Sequence, residues 1–210
     1  MARSRTQGRH AGLTREQVLR AALALVDRDG LDALSMRRLA RELDVEAMTL
    51  YHHVQHRRAL EDALVEQVLA EALPDLEASG PWQTTLVRRA LALHRALAAH
   101  PGIAPLFATR PALTDRNLDV LEHSLTELTA AGFAPGTALE LVHAVAGTVV
   151  WHHVAEHSGD GDAPAQADVA LPPHVAAALA DRATPDRRLD LTLRALVAGF
   201  ATRLDATPEP

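Results

Sequence analysis

The chain has 210 residues, no cysteine and a formal net charge of −6 at neutral pH, with 48% hydrophobic and 23% charged residues. These proportions are ordinary for a globular protein, and the lack of cysteine excludes disulfides and thiolate metal sites. The N-terminus has no apolar run typical of a signal peptide, and no segment approaches the roughly 18 apolar residues of a membrane helix. We therefore expect a cytoplasmic protein with no membrane partner.

The charge is divided unevenly along the chain. Residues 1–58 hold eleven arginines against seven acidic residues, a balance of +4, whereas residues 59–210 hold ten arginines against twenty acidic residues, a balance of −10. A DNA-binding protein needs local positive charge facing the phosphates and not a basic average over the chain. The first part is therefore compatible with nucleic acid, and the acidic remainder should repel DNA and orient the basic end.

The first two helices are predicted from their capping residues. Thr14 and Gln17 have the spacing of a capping box, in which each side chain satisfies a backbone N–H at the start of a helix. Gly30 follows the last apolar residue of this segment and predicts its end. Ser35 is placed to cap a short second helix, and positions 44–45 have room only for a tight turn between crossed helices.

Helical patterns continue to the end of the chain, because strand-like alternation is absent and Ala and Leu dominate. The further predicted helices lie at about residues 46–53, 57–73, 82–99, 103–109, 113–131, 135–157, 172–180 and 185–204. Their breaks coincide with Gly and Pro, and the fourth helix is expected to stop at Pro74. The segment 158–168 (SGDGDAPAQAD) is the predicted flexible loop.

Two late helices have wide apolar faces. The last one repeats apolar residues at Leu189, Leu193, Leu196, Val197, Phe200 and Leu204, and the helix at 135–157 does so at Leu141, Val142, Val145, Val149 and Val150. A long helix that is apolar on almost all sides must bury a second face, and a partner subunit can cover it. The alternative is that both are simply interior helices.

Residues 13–64 combine a three-helix scaffold with one helix that is presented to solvent. An α-helix fits the DNA major groove, and a crossed second helix holds it against the backbone. The apolar residues that can pack inside this scaffold are Leu31, Leu34, Leu39, Leu43, Val45, Leu50 and Val54. The residues left on or near the exposed side of the third helix are Ala47, Met48, Thr49, Tyr51, His52 and His53. The Tyr-His-His run can donate hydrogen bonds to phosphates.

Residues 35–54 (SMRRLARELDVEAMTLYHHV) resemble the helix-turn-helix of the tetracycline-repressor (TetR) family, and the similarity extends through Arg57, Arg58 and Leu60. The resemblance implies an all-α protein with an N-terminal arm and three-helix helix-turn-helix DNA-binding domain at 1–58. A larger helical ligand-binding and dimerisation domain is implied at 59–210. The implied function is a transcriptional regulator, a homodimeric repressor that a small-molecule effector releases from a pseudo-palindromic double-stranded DNA operator.

The resemblance also implies individual roles in DNA binding. Arg37 matches the position of a direct base reader, which suits a bidentate contact with guanine. The residues implied to face bases or backbone are Ala47, Met48 and Thr49, and those implied to contact phosphates are Tyr51, His52, His53 and Arg57. Asp44 stands at a turn position that is often glycine, and aspartate tolerates left-handed backbone better than most residues. The apolar Ala47-Met48 pair offers contacts to thymine methyl groups but no hydrogen bonds to base edges.

The second part resembles the C-terminal domain of the tetracycline repressors themselves, through Thr109-Arg110-Pro111 and the segment ending at Phe133. A histidine that those proteins use to bind magnesium–tetracycline is replaced here by Leu106, and another is missing near Pro74. We therefore expect an effector other than tetracycline, largely apolar or partly aromatic, and no metal or other cofactor. The candidate effector-binding residues are His94, Leu106, Thr109, His123, His143 and Trp151.

Several alternatives remain open at this stage. His153 and His157 share a helix face and could bind zinc, although such pairs without a third ligand are usually solvent-facing or hydrogen-bonded. The other histidines could satisfy helix groups instead of an effector, and Trp151 could line a pocket or anchor a dimer. An activator of the same fold is a second possibility. A helical metal-dependent enzyme is a third, and we do not expect it because no phosphate loop, HExxH or GxSxG string occurs.

Overall fold

The computed structural model describes residues 12–76, 80–109, 114–157 and 171–205, and over these residues every regular element is a helix. This confirms the all-α prediction. The α-helices are α1 (Arg15–Asp29), α2 (Met36–Glu42), α3 (Ala47–Leu50), α4 (Arg57–Leu76), α5 (Trp82–Ala99), α6 (Ala104–Thr109), α7 (Asp115–Ala130), α8 (Pro135–His157), α9 (Pro173–Ala180) and α10 (Pro185–Asp205). Two short 3₁₀ helices lie at Leu31–Ala33 and Pro101–Ile103.

Local capping interactions delimit the first two helices as expected. The Thr14 hydroxyl accepts a hydrogen bond from the Gln17 N–H at 3.2 Å, and the Gln17 side chain accepts one from the Thr14 N–H at 2.8 Å. Gly30 ends α1 with a positive φ of 80°, a conformation that glycine adopts without strain. Ser35 caps α2 by accepting from the Arg38 N–H at 3.2 Å. These contacts satisfy N–H groups that a helix start leaves without partners.

The turn between α2 and α3 has the expected backbone, but α3 is shorter than predicted. Asp44 adopts a left-handed φ of 53° there, alone among the described non-glycine residues. The prediction of a helix over 46–53 was wrong at its C-terminal end, because the α-helix stops at Leu50. The next N–H groups instead bond three residues back, as from Tyr51 to Met48 at 3.3 Å. Such 3₁₀-type bonds tighten the last turn as the chain reverses towards α4.

Two other predicted boundaries are corrected. Helix α4 passes through Pro74 and ends at Leu76, so proline does not end it where expected. Proline removes one backbone hydrogen bond, and with two residues remaining the loss is confined to the last turn. The predicted helix at 103–109 is preceded by a 3₁₀ turn, which begins at Pro101. The predicted flexible loop at 158–168 lies outside the described residues.

One continuous apolar core runs through the molecule. The helices α1–α3 form a head, and α5–α10 form a body. Helix α4 spans the predicted domain boundary at residues 58–59, contacts α1 and packs along α5. Helix α8 packs against α5, α6, α7 and α10. The largest fully buried side chains are Leu25, Leu34, Leu39, Leu50, Leu60, Leu64, Leu97, Ile103, Leu128, Leu141, Leu189 and Leu193. No helix in the described part of the chain has the length and apolar character needed to cross a membrane.

Candidate nucleic-acid interface and ligand groove

The head holds α3 against its scaffold through one side of the helix. Leu50 is fully buried and Val54 nearly so, and both belong to the core that Leu39 of α2 also enters. Met48 lies on the opposite side and is 70% exposed. An exposed methionine of this size contributes nothing to the core, so its side of α3 is available for contact with another molecule.

Two acidic groups of the head, Glu42 and Asp29, are engaged by two of its arginines. Arg28 donates to both carboxylate oxygens of Glu42, at 3.0 and 3.2 Å, and Arg38 donates to Asp29 at 2.6 Å. Hydrogen bonds from Arg28 hold the pKa of Glu42 and of Asp29 below their usual values. Arg37 is exposed on α2 and forms no ion pair with any described residue. The guanidinium predicted to read a base is therefore available to do so.

The structure places the other predicted DNA-binding residues on or beside α3. Tyr51 and His52 are exposed, in the turn that follows α3. Ala47, Thr49 and His53 are half-buried. The chain therefore presents a methionine, a phenol and an imidazole close together along a short stretch, with smaller side chains between them. Hydroxyl and imidazole N–H groups of this kind donate readily to phosphate oxygens.

Arg57 is held in place at the start of α4. Its Nε donates to Oε1 of Glu61 one helical turn later, at 2.7 Å, while its side chain remains half exposed. Glu61 is a nearly fully buried carboxylate. A buried acid restricts the conformations of the arginine, so the Nη groups approach a phosphate at a lower entropic cost. Glu61 was not predicted as a partner of Arg57, although its i,i+4 spacing from Arg57 is the spacing of helical ion pairs.

An open groove of about 350 Å³ lies between α8 and α10. Its lining residues are Gly147, Thr148, Trp151, His152, Leu189 and Thr192. The indole of Trp151 is 71% exposed beside it, whereas His152 is buried. Leu191, on the same helix as Leu189, is 67% exposed. Trp151 was predicted as an effector residue but His152 was not, since an i,i+1 pair of histidines gives no indication of which one faces inward.

Three histidines lie together beside this groove. The rings of His94 and His152 are 5.6 Å apart between centroids, in an edge arrangement. Burial lowers the pKa of His152, against the opposing effect of Glu156, whose Oε1 lies 3.1 Å from its Nε2. His153 has no exposed surface, and burial, followed by the charges of His157 and His94, lowers its pKa to about 4. His152 and His153 are therefore neutral at physiological pH.

The remaining predicted effector residues do not line the groove. Leu106 is buried in the core, and the Thr109 hydroxyl donates to the Pro105 carbonyl at 2.8 Å. His123 is exposed, with its Nε2 3.6 Å from a carboxylate oxygen of Glu127. His143 is also exposed. Residues 110–113, which include part of the Thr-Arg-Pro segment, lie outside the described residues.

The two histidines considered for zinc binding have unlike surroundings. His157 is exposed and its ring stacks on that of His153, with centroids 4.0 Å apart. The His157 Nδ1 lies 2.9 Å from the His153 carbonyl oxygen, to which it can donate. The expectation that such a pair faces solvent or is hydrogen-bonded therefore describes His157, whereas His153 is fully buried. Over the described residues, no group of three or more His, Asp or Glu side chains is arranged to hold a metal ion.

Comparison with known proteins assigns both parts of the chain to one family. The family model described as bacterial regulatory proteins, tetR family, matches residues 18–64, and the model described as tetracyclin repressor-like, C-terminal domain, matches residues 73–204. The class D tetracycline repressor protein of Escherichia coli is 35% identical over 208 residues, which is 93% of each chain. The resemblance identified in the sequence is confirmed.

Solved structures give the same result. A single-residue variant of TetR from Acinetobacter baumannii AYE, in complex with minocycline, is 32% identical with a TM-score of 0.74, covering 93% of this chain and 100% of that one. ActR of Streptomyces coelicolor, in complex with actinorhodin, is 27% identical with a TM-score of 0.77 and the same coverage. The family match in both parts of the chain, together with this overall similarity, shows that the protein belongs to the TetR family of ligand-responsive, DNA-binding transcriptional regulators.

Proposed function

We propose that the protein is a homodimeric repressor that binds a pseudo-palindromic operator and leaves it when a small-molecule effector binds the body. The observation that carries this proposal is the composition of the head surface. An arginine with no acidic partner among the described residues, Arg37, lies on α2, and Met48, Tyr51 and His52 are exposed on or beside α3. We also propose that it acts on DNA in the cytoplasm. We propose that its two functional parts, 1–58 and 59–210, meet within α4.

In the proposed complex α3 enters the major groove. Arg37 donates two hydrogen bonds to a guanine, and the Met48 side chain packs against thymine methyl groups. Ala47 and Thr49 lie at the groove wall. Tyr51, His52, His53 and Arg57 donate to phosphates on the flanking backbone, which sets the register of the head and carries no base preference. This division of roles predicts that few residues determine the base specificity, whereas many determine how steeply the operator affinity falls with salt concentration.

The second copy is proposed to pack against α8 and α10. Trp151 and Leu191 are large apolar side chains that lie exposed on these two helices. Burying such side chains against a partner is worth about 1.5–3 kcal/mol each, and an isologous interface repeats every contact. Dimerisation would hold two heads about 34–36 Å apart, one turn of DNA, as a palindromic site requires.

The effector is proposed to be an aromatic molecule with limited polarity. Two solved relatives hold minocycline and actinorhodin. In this chain Leu106 replaces a histidine implied in magnesium–tetracycline binding, so a metal-chelated tetracycline does not suit the site. The candidate contacts remain those predicted from the sequence, His94, Leu106, Thr109, His123, His143 and Trp151. Of these, Trp151 lines the groove, where a partner subunit would cover it, and His94 lies beside the groove-lining His152. No catalytic role is proposed for any of these residues.

The DNA half of the proposal is tested by selecting duplexes from a random-sequence pool with the full-length protein and then measuring affinities by fluorescence anisotropy. We expect an inverted repeat to be enriched. Arg37→Ala should weaken its binding by about 1–3 kcal/mol and relax the base preference at one position in each half-site. The matched control is Arg182→Ala, which removes the same charge from an exposed site on the body.

Two results would contradict this assignment. Failure to enrich any sequence would refute operator binding itself. If Arg37→Ala bound with the affinity and base preference of Arg182→Ala, base reading by Arg37 would be refuted while operator binding stood. A reporter gene behind the selected site then distinguishes repression from activation, since loss of a repressor raises expression and loss of an activator lowers it.

A further inference from the structure

A histidine joins the head to the body at their junction. His100 follows α5, and its Nδ1 lies 2.7 Å from Oδ2 of Asp27 on α1, in the head. Its Nε2 lies 3.2 Å from the carboxylate of Glu71 on α4. The His100 side chain is 19% exposed and that of Asp27 is 24% exposed. We call these three residues the His100 bridge.

The chemistry of the bridge requires both nitrogens of the ring. An ionised carboxylate only accepts hydrogen bonds, so contacts with Asp27 and Glu71 together need an N–H at Nδ1 and another at Nε2. A hydrogen bond to an ionised carboxylate is stronger than one between two neutral groups. The other oxygen of Asp27, Oδ1, is buried and has no hydrogen-bond partner among the described residues. Removing His100 therefore leaves a poorly solvated carboxylate in the head.

A steric contact between Gly102 and Val26 lies directly beside the polar contact between His100 and Asp27. A Cβ atom placed on Gly102 would overlap the carbonyl oxygen of Val26, the residue before Asp27, and would lie 2.9 Å from its carbonyl carbon. No Cβ atom fits there, so only glycine allows the 3₁₀ segment Pro101–Ile103 to lie so close to the last turn of α1. The relative position of head and body is thus defined at two adjacent points, one polar and one steric.

The same 3₁₀ segment leads directly into a helix that contacts the groove-lining part of the body. Helix α6 begins at Ala104, immediately after the segment, and packs against α8. Helix α8 carries His152, which lines the groove between α8 and α10. The segment itself packs against α1. A displacement of α8 at the groove would therefore reach the His100 bridge through α6 and the 3₁₀ segment.

We propose that His100 is a positioning residue for DNA binding, which holds the heads at the angle that one operator spacing requires by bridging Asp27 and Glu71. The role rests on the operator binding proposed above. When an effector moves the segment that carries His100, the bridge breaks and the heads lose their fixed separation. The effect on DNA acts through α1 and not through any contact of His100 with DNA.

The test compares variants on operators that differ only in half-site spacing. Wild type, His100→Ala and His100→Asn are measured on the selected inverted repeat and on versions with one base pair added or removed, with His174→Ala as an exposed control on α9. Wild type should prefer one spacing. His100→Ala should lose about tenfold in affinity on that spacing and bind the three operators nearly equally, since one or two charge-assisted hydrogen bonds are lost. The side-chain amide of His100→Asn, a donor to Asp27, should restore part of the preference.

A purely structural role gives a different pattern. A protein that is only less stable binds all three operators more weakly by the same factor, and its spacing preference stays that of wild type. That result for His100→Ala, with thermal melting measured in parallel, would overturn the positioning role and leave the proposed function intact. If His100→Ala does not fold, Glu71→Ala provides the same test, since it removes the partner of Nε2 at a side chain that is 42% exposed and should relax the spacing preference. An unchanged spacing preference in that variant overturns the positioning role of His100. A wild type that binds no operator overturns both the positioning role and the proposed function.

Discussion

The head and the body of this protein arrange their polar groups in opposite ways. In the head, Arg28 and Arg38 engage the nearby acids at the surface, and Arg37 remains exposed without such a partner among the described residues. In the body, His152 and His153 are buried and held neutral. Exposed polar groups can contact a partner with little effect on the free energy of unfolding. Buried polar groups make that free energy depend on their hydrogen bonds and their protonation state. The contrast predicts different consequences for changes in the two regions.

The largest effect is expected from the buried side of α3. Leu50 is fully buried, so Leu50→Ala should lower the free energy of unfolding by about 2–5 kcal/mol, through lost burial and the cavity left behind. Met48→Ala, two residues away on the exposed side, should change stability by less than about 0.5 kcal/mol while weakening operator binding. Urea denaturation and fluorescence anisotropy measure the two quantities. Equal losses of stability in the two variants would refute the division of α3 into a core side and a DNA side.

The next largest effect is a loss of folding stability at acid pH, caused by a buried histidine of the body. The pKa of His153 is lowered to about 4 in the folded state, chiefly by burial, from 6.5 in the unfolded chain. Above pH 6.5 both states are neutral and the full stability is present. As the pH falls from 6.5 towards 4 the unfolded state binds a proton that the folded state does not, so stability falls by on the order of 3 kcal/mol.

Urea denaturation at several pH values measures this effect. His153→Leu should flatten the loss of stability between pH 6.5 and 4, because the variant has no imidazole to protonate in either state. The exposed residue His174 provides the control, since His174→Leu should leave the slope unchanged. A wild-type slope in His153→Leu would show that other groups cause the acid sensitivity of the body.

The smallest effect is expected from a polar contact in the head. Thr14→Ala removes the hydroxyl that accepts from the Gln17 N–H and should lower the free energy of unfolding by about 1 kcal/mol. Thr14→Ser keeps the acceptor and should behave like wild type. Operator affinity at temperatures well below unfolding should be the same for both. A loss of affinity in Thr14→Ala without a loss of stability would mean that this end of α1 contributes to DNA binding directly.

The sequence determined the elements of this protein that depend on near neighbours. Thr14 with Gln17, Ser35, Gly30 and Asp44 predicted the helix starts, the helix end and the left-handed turn of the head, because each acts on backbone groups within three or four residues. Hydrophobic periodicity likewise located the remaining helices. The length of α3 was not predictable in this way, since the chain reversal towards α4 decides where its last turn tightens.

Only the tertiary structure decided which polar side chains meet. His153 and His157 are equivalent in the sequence pattern, yet packing against other helices buries the first and leaves the second exposed. His100 lies 73 residues from Asp27 and 29 from Glu71, so no local pattern relates them. Local hydrogen bonds specify helices because their partners are fixed by the helical repeat. Burial and long-range ion pairs depend on how the helices pack, which a single sequence does not display.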